Sequence, residues 1–183
     1  MIAFLDFEAS SLSDDSYPIE VGWVFEDGKA ASYLIKPAPD WTDWSTESEQ
    51  IHGLSRFVLE NEGIAVEAVA KEMLQSLAGH DLFASAPSWD GKWLSVLLRR
   101  AGHPRHALRL QDSEEAFARA AREVLGAFAD ESLISGVVAK SMRAKESSRP
   151  SHRALADAKA EHACWLQVRS AALAQAASDN QRY

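Results

Sequence analysis

The chain of 183 residues carries 19 Lys and Arg against 27 Asp and Glu, a formal charge of −8, with 46% hydrophobic and 25% charged residues. That length suits one domain, residues 1–183, able to bury most of its apolar surface without disulfides, and the acidic balance argues against a protein that coats long nucleic acid through its overall field. No apolar run approaches the length of a membrane helix, the start at Met1 lacks the basic leader of a signal peptide, and Cys164 stands alone, so a soluble cytoplasmic protein with no membrane partner is expected.

The first stretch, Ile2-Ala3-Phe4-Leu5-Asp6-Phe7-Glu8, is an apolar run closing on two acids and predicts a strand buried on both faces. Alternate strand residues share a face, so Asp6 and Glu8 point the same way, Cα atoms roughly 6.5 to 7 Å apart. At an effective dielectric near 20 two such charges repel by about 2.5 kcal/mol before desolvation is counted. The first Lys or Arg is Lys29, which leaves a distant side chain or a divalent cation to sit between them, unless the strand simply ends in solvent.

Ala9-Ser10-Ser11-Leu12 and the following Ser13-Asp14-Asp15-Ser16 predict a loop at the mouth of that acid pair. Residues 19–25 and 31–35 predict two strands joined at the Glu26-Asp27-Gly28 turn, completing an antiparallel meander. Residues 37–44, with Trp41 and Trp44, predict a surface loop whose indoles either pin it to the body or stack on nucleobases. Residues 49–53 read as a short helix stopped by Gly53, Ser55 as a cap, and residues 64–77 as a helix. Residues 82–84 predict a fourth strand, and Ser88 a cap for a helix to Gly102 with Asp90 in its first turn, where the helix dipole favours an acid. Residues 107–110 predict a fifth strand, Asp112 with Glu115 a capping box for a helix over 114–128, and Asp130 the start of a helix to about Ala144.

Lys140, Arg143, Lys145, Arg149 and Arg153 then form the one basic stretch, and Pro150 and Ser151 predict the start of a last helix carrying His152, Asp157 and Cys164. The tail over 178–183 is polar. His152 and Asp157 are five residues apart, about 140° around a helix axis, so a shared site requires His152 to sit on the lead-in rather than on the helix proper.

This arrangement resembles the DEDDh 3′–5′ exonucleases of the ribonuclease H-like superfamily. Asp6-Phe7-Glu8 matches their Asp-x-Glu motif, Asp90 the central aspartate, and His152 to Asp157 the His-x4-Asp motif, while Ile51-His52-Gly53-Leu54 is similar to an Ile-His-Gly-Ile stretch between the first two. The chain departs where the first motif usually continues Thr-Gly-Leu, here Ala9-Ser10-Ser11-Leu12, and where His-Asn usually precedes the central Asp, here Ser85 to Trp89.

The resemblance implies an α/β ribonuclease H-like fold, a mixed five-stranded sheet flanked by helices. It implies Asp6, Glu8, Asp90 and Asp157 as ligands of two Mg²⁺ or Mn²⁺ ions and His152 as the base that takes the proton of the attacking water. It also implies a substrate of single-stranded RNA or DNA, or short oligonucleotides, cleaved to nucleoside monophosphates. Ala9, Ser10, Ser11, Leu12 and His52 are expected to meet that substrate, and Arg143, Lys145 and Arg149 to grip its phosphates. A catalytically inactive nuclease-fold module for binding or adaptor work, and an endonuclease of the same superfamily, are the alternatives.

Overall fold

The computed structural model describes residues 1–126, 129–146 and 151–180. β1 (Ile2–Ala9) is the central strand. It runs antiparallel to β2 (Pro18–Phe25), which turns into antiparallel β3 (Ala30–Leu34), while β4 (Asp81–Ala84) lies parallel on its other side with β5 (Leu110–Asp112) beyond. The order β3-β2-β1-β4-β5 is the mixed five-stranded sheet expected from the sequence.

The helices are α1 (Thr46–His52), α2 (Arg56–Glu62), α3 (Val66–Leu77), α4 (Pro87–Arg100), α5 (Ser113–Leu125), α6 (Glu131–Glu146) and α7 (Ala154–Asn180). Strand alternation decides which of them each β1 residue meets. Ala3, Leu5 and Phe7 join Met73, Leu77, Leu94 and Leu97 from α3 and α4 in one core. Phe4 faces the other way, its ring centroid 6.2 Å from those of both Phe117 on α5 and Trp165 on α7. Asp6 and Glu8 continue the Phe4 face, so they run out of apolar cover on the α7 side.

β2 uses the same alternation. Val24 packs in the α7 core, Gly22 stands opposite Asp6, and Glu20 stands opposite Glu8. At Gly22 the α7 backbone fills the space a side chain would need: a Cβ there would lie 2.4 Å from Leu155 N and 2.5 Å from Leu155 Cα. Only glycine permits that approach, and it lays the first turn of α7 beside the acids of β1.

Several predicted boundaries shift. The fifth strand lies at Leu110–Asp112 rather than 107–110, because its partners in β4 are Leu82, Phe83 and Ala84, and Ala107 N–H is spent on a turn to Pro104 O. α4 starts at Pro87 with Ala86 at the cap position, so Ser88 lies inside the helix and does not cap it. Asp112 does cap α5, accepting from Glu114 N–H, whereas the predicted helix end at Phe128 lies outside the described residues. Ile64 pairs with Ile35 in a parallel bridge before α3 begins. The loop over 37–44 is pinned by its indoles, Trp41 stacking on Tyr17 at 4.9 Å and Trp44 Nε1 donating to Glu49 at 2.8 Å. α7 begins at Ala154, not at Pro150 or Ser151: His152 has φ +52°, outside the helical region, and Pro150 lies outside the described residues.

Gly22→Ala is expected to destabilise the protein by about 3 kcal/mol through forced separation of α7 from β2. At about 2–4 °C per kcal/mol for a chain of this size, thermal melting should show a drop of about 6–12 °C. A drop of a degree or two would show that the helix can retreat without cost.

Candidate metal centre and substrate pocket

Carboxylate oxygens of Asp6 and Glu8 from β1 and Asp157 from α7 lie within 4.8 Å of one another. Asp90 reaches the same end of β1 from the opposite layer. β4 pairs with β1 only as far as Phe4, and the Phe7 N–H beyond it donates to Asp90 Oδ1 at 3.2 Å. The other oxygen, Asp90 Oδ2, is buried and has no hydrogen-bond partner. Asp157 Oδ1 accepts from both the backbone N–H and the hydroxyl of Ser151, at 3.1 and 3.2 Å. Of the four acids expected as ligands, Asp6, Glu8 and Asp157 thus form one group, and Asp90 is held beside it at the Phe7 N–H.

Their electrostatics favour a cation. Burial, then the charges of Asp90, Glu8 and Asp157, push the Asp6 carboxyl well above the usual range. Burial raises Glu8 to about 8, with Asp157 and Glu20 adding to it and Arg153 opposing. Burial raises Asp90 to about 7 against the hydrogen bonds it accepts from the backbone. Hard oxygen donors crowded together are a donor set that fits a divalent cation at Asp6, Glu8 and Asp157, and the orphaned Asp90 Oδ2 lies outside that group of three.

Beside the acids is a cavity of about 240 Å³ walled by Glu8, Ala9, Ser11, Leu12, His52 and His152, with Ser48, Ile51 and Trp93 closing it. Leu12 and Ile51 are 68% and 57% exposed, apolar side chains on the rim of a polar site. His52 Nδ1 accepts from Leu54 N–H at 3.0 Å, which places the ring proton on Nε2, a buried atom with no partner. Burial holds this imidazole below its ordinary pKa, so a neutral ring presents one N–H donor. Ser10 is buried and does not line the pocket. Its hydroxyl and those of Ser11 and Ser13 all donate to Asp43, at 2.8, 2.6 and 2.8 Å, fixing the loop after β1. The hydroxyls of this Ser10-Ser11 departure therefore set loop geometry.

The basic stretch divides. Arg143 and Lys140 are exposed on α6, whereas Lys145 pairs with the buried Glu161 of α7 and Arg153 with the buried Glu20 of β2. Arg149 lies outside the described residues. Glu20, Glu161 and Asp43 are absent from the sequence-derived set. A lone charge inside the apolar run of residues 19–25 is a signal that could have singled out Glu20, and an acid one helical turn after Asp157 could have singled out Glu161.

No protein-family model matches the chain. No curated protein matches it either. Solved structures do match. The zinc-bound complex of E. coli exonuclease I with single-stranded DNA superposes with a TM-score of 0.66 at 15% identity, over 92% of this chain and 40% of that one. The E. coli protein in complex with a dA16 oligonucleotide gives 0.65 at 15% identity over 94% and 42%, and exonuclease I from Methylocaldum szegediense 0.64 at 18% over 92% and 40%. The fold is ribonuclease H-like. The chain spans about two fifths of the length of these exonucleases and shares the fold of that part. Among the described residues no helix is long and apolar enough to cross a membrane.

The raised carboxyls make the metal-free protein pH-sensitive in a defined direction. Folded Asp90 and Glu8 bind protons more tightly than in the unfolded chain, so the stability they contribute is complete below about pH 4 and is lost as pH rises through about 7 and about 8. Melting of the metal-free protein should therefore fall between about pH 5 and 8, and excess Mn²⁺ should raise and flatten that profile. Asp6→Asn removes one repelling charge and should leave the metal-free protein at least as stable as wild type at pH 8, with a smaller gain from Mn²⁺. A metal-free variant melting well below wild type would make the acids structural.

Proposed function

We propose that the chain is a DEDDh-type 3′–5′ exonuclease, dependent on two Mg²⁺ or Mn²⁺ ions, that releases nucleoside monophosphates from single-stranded RNA or DNA or from short oligonucleotides. The observation that carries this reading is the cluster of Asp6, Glu8 and Asp157, with Asp90 held next to it at the Phe7 N–H, beside a pocket lined by Glu8, His52 and His152. All-oxygen donors suit these hard cations, which, when bound, would stabilise negative charge on the attacking and leaving oxygens of a phosphodiester.

The pocket suits the last nucleoside of a strand. Leu12 and Ile51 offer apolar contact to a base or sugar, and the unpaired His52 Nε2–H offers a donor to a sugar hydroxyl or base carbonyl. His152, which lines the same pocket as Glu8, would accept the proton of the attacking water; the new oxygen–phosphorus bond forms as the bond to the 3′ oxygen of the preceding nucleotide breaks, and that oxygen takes up a proton from solvent. The products are a nucleoside 5′-monophosphate and a strand one residue shorter with a free 3′ hydroxyl. A neutral pocket donor and a few exposed cations such as Arg143 would let an acidic protein hold a phosphate chain at one end without coating it. The buried Cys164 thiol, raised to about 11 chiefly by burial, is unreactive and suits the cytoplasm.

An oligonucleotide labelled at its 5′ end should shorten in single steps with Mg²⁺ or Mn²⁺ and stay intact in chelator. One internal cut would identify an endonuclease, and binding without cleavage a non-catalytic module. His152→Ala should lower kcat by about 10²- to 10⁴-fold while Mn²⁺ still raises the melting temperature, and near wild-type kcat would remove His152 from the mechanism.

Arg143→Ala tests the phosphate contact separately. It should raise KM and flatten the dependence of KM on salt with kcat nearly unchanged. An unaltered salt slope would assign Arg143 to the solvated surface.

A further inference from the structure

Glu20 is a charged residue 2% exposed in the middle of a β-sheet, which is tolerable only with a full set of partners. Its partners are consecutive residues of one short segment. Glu20 Oε2 accepts from Arg153 Nε at 2.9 Å and from the Ala154 backbone N–H at 3.0 Å, and Oε1 accepts from Arg153 Nη2 at 2.7 Å. Both oxygens are thus engaged by donors of the protein itself.

The residue just before this segment is His152. Among the described residues it is the one non-glycine with positive φ, +52°, a conformation that persists where the surroundings impose it. The chain is held on both sides of it. Ser151 is bonded to Asp157 through its N–H and hydroxyl, and Arg153 and Ala154 are bonded to Glu20. Without the second anchor, the lead-in to α7 is free to extend the helix backwards or to swing outwards, and either movement takes the imidazole from the pocket.

We infer that Glu20 is a positioning residue for His152. Its carboxylate acts through Arg153 and Ala154 to hold the left-handed turn that aims the imidazole at the site, and it touches neither substrate nor ion. This rests on reading His152 as the base of the reaction proposed above.

The test compares Glu20→Ala and Glu20→Gln in wild-type and His152→Ala backgrounds, with the labelled oligonucleotide and Mn²⁺. Glu20→Ala should lower kcat by about 10²-fold with little change in KM, the scale of a misplacement near 1 Å. Glu20→Gln keeps an oxygen for Ala154 N–H and should recover most of that loss. In the His152→Ala background Glu20→Ala should cost less than about twofold more, because a residue acting through another adds nothing once that other is gone. A full repeated loss in that background, or unchanged kcat in Glu20→Ala, overturns the inference.

Amide hydrogen exchange on the full chain gives a second readout that needs no turnover. In both Glu20 variants exchange across residues 151–154 should quicken, by about tenfold in the alanine variant, while residues 158–172 of α7 and the Mn²⁺-induced rise in melting temperature stay as in wild type. Loosening of all of α7 would make Glu20 merely structural and overturn the inference. A wild-type protein that cleaves nothing yet shows the local change would defeat the nuclease reading and leave the anchoring by Glu20 established.

Discussion

The backbone of α7 meets the backbone of β2 at Gly22 with no side chain between them, and the positions of Asp157 and His152 follow from that contact. Helices normally stand off a sheet by the length of the side chains between them. Here one glycine removes the spacer at the start of the helix, while Val24 two residues along keeps an ordinary apolar contact with the α7 core. The helix therefore comes nearest the sheet at its first turn. Glu20, on the same face of β2, completes the join by accepting from Ala154 N–H, an end-of-helix donor that would otherwise lack a partner, and from the Arg153 guanidinium. Three alternate residues of one strand thus supply a cap, a gap and a core contact.

Against that close approach works the repulsion of the acids it gathers. Asp6, Glu8, Asp90 and Asp157 are held against it by interactions with other groups: strand pairing for the first two, the Phe7 N–H for Asp90, and Ser151 for Asp157. The apolar cores on both faces of β1 supply the energy that keeps them together, and burial raises three of the four carboxyls. A structural cluster would be expected to contain its own cations. The nearby Arg153 and Lys145 are instead committed to Glu20 and Glu161, so the four acids remain a site that gains from an added positive charge.

Similarity to the exonuclease I structures at 15–18% identity concerns the arrangement of elements, with TM-scores of 0.64 to 0.66. The pocket itself is shaped by contacts of the loop after β1. Asp43 gathers three serine hydroxyls to shape the loop after β1, and Lys92 and Trp93 of α4 both donate to the Ser16 hydroxyl at the far end of that loop. The pocket wall is held from two directions without a glycine in the loop itself, and Leu12 is presented outward at its tip.

Much of the sheet was legible in the sequence because strand and turn signals are local. The apolar run closing on Asp6 and Glu8, the turn at Gly28 and the short strand before Asp90 each carry their own periodicity, and the common face of Asp6 and Glu8 follows from strand geometry alone. The requirement that His152 lie off the helix bearing Asp157 was equally local, a matter of 100° per residue. The ends of elements were less legible, since a three-residue strand such as β5 exists only where β4 has free backbone to pair with. What the tertiary structure alone decided was the fate of the charges. Lys145 and Arg153 read alike in the sequence with Arg143, yet the first two are bound to buried glutamates and the third is exposed. Glu20 lies more than a hundred residues from Arg153 along the chain, and which carboxylate claims which cation depends on distances that exist only after α7 has settled on Gly22.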